Sequence, residues 1–300
     1  LFGNPGLGIV IIIASIQLLI TSFTSIQTAL YKRDFDFKTL FYARIVTVAL
    51  PFIITIPLAF LGLSYWSIII GGIIGQVVNA VILTFKSKWN PKFYYNWSIF
   101  NKMFSFSFWT LVESISIWLT AWVDVFVISQ KLTQYYLGIY KTSTMLVNAI
   151  FSLIVASFVP VLFSALSRLQ NDKTNFISLY FKVQRIVAMI ILPLGIILYF
   201  YSDIITIILL GTKWVEATKV IGIWALTSSI MVVFAHFSSE VYRSLGKPKL
   251  SFLAQLLHII FLIPVCIYSS DYGFWPLVYS RSWIRLQFLL VHVIFMWYFV

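Results

Sequence analysis

The sequence predicts an all-α polytopic membrane protein, on three observations. The 300 residues are 61% hydrophobic and only 10% charged, with a mean hydropathy of +0.96, more apolar surface than a soluble core can hide. The apolar residues gather into about nine runs of roughly 20 residues, the length that spans a bilayer as a helix. The connectors between the runs alternate between strongly basic and nearly uncharged. The runs lack a period of two, which excludes a β-barrel. A formal net charge of +12 would suggest nucleic acid for a soluble protein. Here the basic residues sit in connectors, where membrane proteins collect them, and no nucleic-acid partner is expected.

In chain order, spans are expected near 8–30, 40–61, 65–85, 105–128, 138–163, 186–209, 217–241, 250–270 and 274–298. The first connector carries Lys32, Arg33 and Lys38, and the second only the short Gly62–Tyr65 turn. The third holds Lys86, Lys88, Lys92 and Lys102, and the fourth only Lys131. The fifth has Arg168, Lys173, Lys182 and Arg185, the sixth Lys213, the seventh Arg243, Lys247 and Lys249, and the last is the Ser269–Asp271 turn. Basic connectors are cytoplasmic, so the first span runs from outside to inside. Residues 86–104 are basic and aromatic and read as an amphipathic cytoplasmic linker. That linker separates three helices in 1–85 from six in 105–300, and residues 166–185 read as a second polar connector. Pro51, Pro57, Pro193 and Pro264 predict kinks or local unwinding. The chain starts at Leu1 without a leader pattern and is still apolar at Val300, so it reads as an internal piece of a longer protein.

Arg281 and Arg285 stand out inside the last run. A central arginine costs about 2.5–3.5 kcal/mol on insertion scales. Four residues apart they share one helical face, and His292 falls on it too. Such a face is tolerable toward a wet or anionic interior, or against an acid such as Glu113, but not toward lipid. In the span 105–128, Thr110, Glu113, Thr120 and Asp124 form one polar stripe. A buried carboxylate there can take part in ion coupling with Na⁺ or H⁺, close the lobes, or answer a basic residue across a cavity. Asp124 can alternatively lie at the outer interface without a partner. The next span carries Lys141, Thr144, Asn148 and Ser152 on one face, with Lys141 either lining a cavity or anchoring at the interface. Arg44, one turn inside its span, is a cavity candidate or a positive-inside residue. Glu240 and Arg243 are expected to pair locally.

Gly71 and Gly75 have the spacing of a helix-packing pair. Cys266 stands alone, excluding disulfides and Cys-based metal sites, and the three histidines are far apart in sequence. No enzyme signature is present. No catalytic residue, cofactor or metal is expected.

Several stretches carry a family resemblance. They are Ala29-Leu30-Tyr31-Lys32-Arg33-Asp34-Phe35-Asp36-Phe37, Leu61-Gly62-Leu63-Ser64-Tyr65-Trp66, and Trp122-Val123-Asp124 followed by Leu137-Gly138-Ile139-Tyr140. Further on come Pro160-Val161-Leu162-Phe163-Ser164-Ala165-Leu166-Ser167-Arg168-Leu169-Gln170-Asn171-Asp172, then Leu210-Gly211-Thr212-Lys213-Trp214 and Ser244-Leu245-Gly246-Lys247-Pro248. In order and spacing, over residues 15–260, the chain resembles the polysaccharide (O-antigen, teichuronic acid, exopolysaccharide) exporters, or flippases, of the multidrug/oligosaccharidyl-lipid/polysaccharide exporter superfamily. It departs from their pattern at Ser129-Gln130.

The resemblance implies a two-lobe transporter of twelve or more helices working by alternating access. Residues 1–85 would be the remainder of the N-terminal lobe and 105–300 the C-terminal lobe. The implied substrate is an undecaprenyl-pyrophosphate-linked oligosaccharide, flipped across the bacterial cytoplasmic membrane. Membrane lipid, a polysaccharide polymerase and export proteins are the implied partners. Other readings remain open: a cation-coupled drug or lipid II exporter of the same superfamily, or a membrane-embedded polymerase or ligase of the same pathway.

Overall fold

The computed structural model describes residues 7–87 and 95–299. They are helical almost throughout and fall into two compact units, Leu1–Tyr94 and Tyr95–Val300. In the first unit, α1 (Leu7–Arg33), α2 (Phe37–Phe60) and α3 (Tyr65–Lys86) pack together. Asp36 caps α2, accepting from the Thr39 amide at 3.0 Å and its hydroxyl at 2.7 Å. These bonds hold its carboxyl below the usual carboxylate range. Gly71 and Gly75 let α3 lie directly on α2, where a Cβ on Gly75 would stand 2.8 Å from the Pro51 ring. The C-terminal ends of α1 and α3 meet, since the Tyr31 hydroxyl donates to the Leu83 carbonyl at 3.0 Å.

The second unit holds α4 (Trp97–Lys131), α5 (Gln134–Arg168), α6 (Lys173–Phe200), the short α7 (Ser202–Leu210), α8 (Ala217–Met231), α9 (Phe237–Ser244), α10 (Pro248–Ser270) and α11 (Phe274–Phe299). A wide π turn, Val232–His236, joins α8 to α9. Its apolar core runs through Val147, Phe151, Ile191, Ile221, Phe237 and Leu277. Gly195 brings α6 against α8, at a point where a Cβ would collide with Ser229.

Among the described residues, eight helical segments are long and apolar enough to cross a membrane, Ala217–Ser244 counting as one. The nine expected spans differ from this at the sixth, expected at 186–209 and found as Lys173–Phe200 with the separate α7 after it, and at α11. It has 26 residues, about 39 Å at helical rise, but Arg281, Arg285, Gln287 and His292 lower its hydropathy. The polar connector expected at 166–185 shrinks to Leu169–Asp172. Asp172 caps α6, accepting from the Asn175 amide at 3.1 Å, and Phe176 and Tyr180 are already buried. The 86–104 segment is also shorter than expected, because α3 includes Lys86 and α4 begins at Trp97. Lys88 and Lys92 lie outside the described residues, as does the Lys102 side chain. Helices continue through Pro51, Pro57, Pro193 and Pro264; the irregular backbone is the π turn and the break at Tyr201.

At one end of the second unit Lys131 pairs with Asp271 at 2.6 Å, and Tyr136 stacks on Phe274 with centroids 4.5 Å apart. The sparsely charged turns therefore share one end, as alternate connectors of a helical bundle must. With Cys266 replaced, a cysteine at Lys173 is expected to resist an impermeant thiol reagent added to intact cells, and one at Lys213 to react. Labelling at Lys173 from outside would reverse the orientation.

Candidate functional site

Within the second unit α4, α5, α8, the π turn, α9, α10 and α11 line a cavity of about 760 Å³. Its wall is layered, because α4, α5, α8, α10 and α11 start or end at the same edge of the bundle. Asp124, Lys141, Trp224 and Arg281 each lie seven residues from that edge, roughly 10 Å in. Arg285, Thr120 and Ser228 come one turn deeper, followed by Asn148, Gln255 and His258.

Arg281 is 4% exposed and Asp124 3%. The Arg281 Nε donates to Asp124 Oδ2 at 2.8 Å, and the Tyr140 hydroxyl donates to the same oxygen at 2.6 Å. The second carboxylate oxygen accepts from the Val125 amide at 2.8 Å. One Arg281 nitrogen, Nη2, reaches the Thr120 carbonyl at 3.5 Å, while Nη1 is buried with no hydrogen-bond partner. A guanidinium can donate five hydrogen bonds, so this site keeps donor capacity unspent in a place where unmet polar groups are costly.

Arg285 is held differently. Its Nη1 donates to Ser228 Oγ at 2.7 Å and Thr227 Oγ1 at 3.2 Å. Its guanidinium lies 3.5 Å from the centre of the Trp224 ring, a cation–π seat that fixes the plane of the fork without neutralising it. No carboxylate pairs with it among the described residues. Lys141 sits 4.3 Å over the Trp122 ring, and Asn148 accepts from the Trp224 indole at 3.3 Å. Thus three cations and one carboxylate line the cavity wall, which leaves positive charge in excess there.

The other predicted residues lie elsewhere. Glu113 is 1% exposed but is not on the cavity wall. Arg243 holds it bidentately, at 2.9 Å and 3.1 Å, and also pairs with Glu240 at 2.8 Å. The acid that meets Arg281 is therefore Asp124 rather than Glu113. The two acids share a stripe of α4, yet 11 residues separate them, about 16 Å along the axis. For the same reason Asp124 is not a partnerless interfacial acid. Arg44 is on an exposed part of α2 in the first unit. His236 and His258, far apart in sequence, both reach the cavity, and His292 lies behind it, with Phe288 packed against the rings of His258 and His292.

Sequence reasoning missed Trp224, Gln255 and the π turn. An aromatic or an amide inside an apolar run carries no mark of what it faces, and a π turn has no composition of its own. For Tyr140 a signal existed, because the two halves of the Trp122–Asp124 and Leu137–Tyr140 resemblance meet in the Tyr140–Asp124 hydrogen bond.

No solved structure matches the chain. It is 20% identical, over 95% of its length, to the succinoglycan biosynthesis transport protein ExoT of Rhizobium meliloti (strain 1021), covering 57% of that protein. It is 22% identical, over 81% of its length, to an uncharacterized membrane protein in the cps region of Klebsiella pneumoniae, covering 50% of it. The chain thus spans about half the length of these relatives. Residues 1–219 match the polysaccharide biosynthesis protein family, a match that takes in most of the helices and the Asp124–Tyr140 side of the cavity. With a multi-pass helical fold and an extended family match in agreement with the exporter resemblance, the chain belongs to the polysaccharide biosynthesis protein family.

Proposed function

We propose that the chain is part of a transporter, not an enzyme, that moves an undecaprenyl-pyrophosphate-linked oligosaccharide across the bacterial cytoplasmic membrane by alternating access. The observation that carries this reading is Arg285, a cation without a carboxylate partner among the described residues, seated on Trp224 in a cavity whose charge is already in positive excess. A pyrophosphate brings at least two negative charges, and planar guanidinium groups bind phosphate oxygens through paired hydrogen bonds. Arg281 adds a buried donor, Nη1, with nothing yet to donate to. The glycan needs the polar cavity, while the prenyl tail is at home in lipid. Family membership and the transport role in one relative's name support the polysaccharide side of the reading.

The test is flipping by the full-length protein in proteoliposomes, using a fluorescent polyprenyl-pyrophosphoryl disaccharide and a membrane-impermeant quencher. The expected result is movement of this lipid and not of the same disaccharide on an uncharged prenyl ether. Movement of a lipophilic cation in its place would favour a drug exporter, against the charge of the cavity wall. Lengthening or ligation of the glycan during the assay would favour a polymerase or ligase.

A further inference from the structure

We propose that the layer beside and below the arginines is a sugar subsite. In it, Asn148 and Gln255 are specificity-determining residues that recognise hydroxyls on the sugar joined to the pyrophosphate. The proposal rests on the anion reading above and deepens it.

Each amide is tied to the support of one arginine. Asn148 bonds the indole of Trp224, the ring on which Arg285 lies. Gln255 donates from Nε2 to Thr120 Oγ1, and the Thr120 carbonyl receives Arg281. A ligand whose charged group engages the arginines therefore places its next atoms beside these two amides.

What each amide has left to offer is complementary. Asn148 uses its Oδ1 on Trp224, so its NH₂ group remains to donate. Gln255 spends one N–H on Thr120, so its Oε1 remains to accept, beside one further N–H. A hydroxyl both donates and accepts, so a donor on α5 and an acceptor on α10, both on the wall of one cavity, suit the hydroxyls of a sugar. A second anion would find no lysine or arginine at this depth among the described residues, because the polar lining there is completed by Ser152, His236, Ser239 and His258, with the His258 ring bonded to Gln287 at 3.1 Å. A hydrocarbon chain would leave the amides unpaired, which is unfavourable in a confined site. At about 760 Å³ the cavity is in the range of drug-sized sites. That is room for the phosphates and the adjoining sugar, with a longer glycan extending beyond it.

The experiment measures affinity of the full-length protein in nanodiscs for two probes, farnesyl pyrophosphate and its hexosyl ester. Sites built around hydroxyl groups discriminate strongly against ligands that lack them. The wild type is expected to favour the hexosyl ester by about tenfold or more, the worth of one to two hydrogen bonds. In Asn148→Leu and in Gln255→Leu the ratio of the two affinities is expected to fall to within about threefold of one, and Asn148→Thr, which keeps a donor, to retain part of it. A wild-type ratio near one, or Leu variants that keep the wild-type ratio, overturns the sugar subsite. Arg285→Ala separates this from the anion reading: loss of both probes in parallel upholds the anion site. Unchanged binding of both would overturn the anion site and the sugar subsite with it.

Discussion

Replacing Arg285 with alanine is expected to reduce export of the lipid-linked glycan by about 30-fold or more, while the protein still inserts and folds. Truncating one member of a desolvated, hydrogen-bonded charge pair costs about 2–5 kcal/mol, and each 1.4 kcal/mol is about tenfold. The variant is expected to insert because Arg285 pairs with no buried acid among the described residues. Its removal frees only the hydroxyls of Thr227 and Ser228 and one face of Trp224. Arg285→Lys is expected to recover part of the activity, since it keeps the charge and loses the planar fork. Export at the wild-type rate by Arg285→Leu would remove this residue from the substrate's path.

Asp124→Ala is expected to behave in the opposite way, with loss of folded protein preceding any loss of transport. It leaves the Arg281 guanidinium, 4% exposed, with no carboxylate, and breaking a buried pair from one side costs about 3–5 kcal/mol. The Tyr140 hydroxyl loses its acceptor as well. Combining Asp124→Ala with Arg281→Leu is expected to restore the yield of monodisperse protein, because the uncompensated charge is then gone. Glu113→Ala is the contrast. Arg243 keeps Glu240 at 2.8 Å, and its side chain is 23% exposed, so water covers part of the loss and the drop in yield is smaller. If Glu113→Ala were as damaging as Asp124→Ala, burial of the pair would not be what sets the cost.

The difference between these two acids also marks what the sequence could disclose. Arg281 and Arg285 were legible because a charge inside an apolar run is costly unless something answers it, and their spacing placed them on one face. Which acid answers Arg281 was not legible, because periodicity gives the face of a helix and not the depth at which a neighbouring helix meets it. Glu113 and Asp124 share the face and differ in depth. The helices themselves were readable from apolar run length, and the misplaced boundary of α6 has a local cause. Its first turns carry Lys173, Thr174 and Asn175, which look like connector until the Asp172 cap and the buried Phe176 are seen. Trp224 was hidden by its own ordinariness, one aromatic in a run of apolar residues, and only the fold turns it into the seat of Arg285.

The proposed transport depends on binding of a pyrophosphate by Arg285 in the cavity of the second unit. Calorimetric titration of the full-length protein in nanodiscs with farnesyl pyrophosphate and with farnesol, on the wild type and on Arg285→Ala, measures that binding. The expected result is saturable binding of the pyrophosphate to the wild type, weakening as salt is raised, with little binding of farnesol and loss of the pyrophosphate signal in Arg285→Ala. Equal binding of farnesol and farnesyl pyrophosphate, or pyrophosphate binding unchanged by Arg285→Ala, would contradict it.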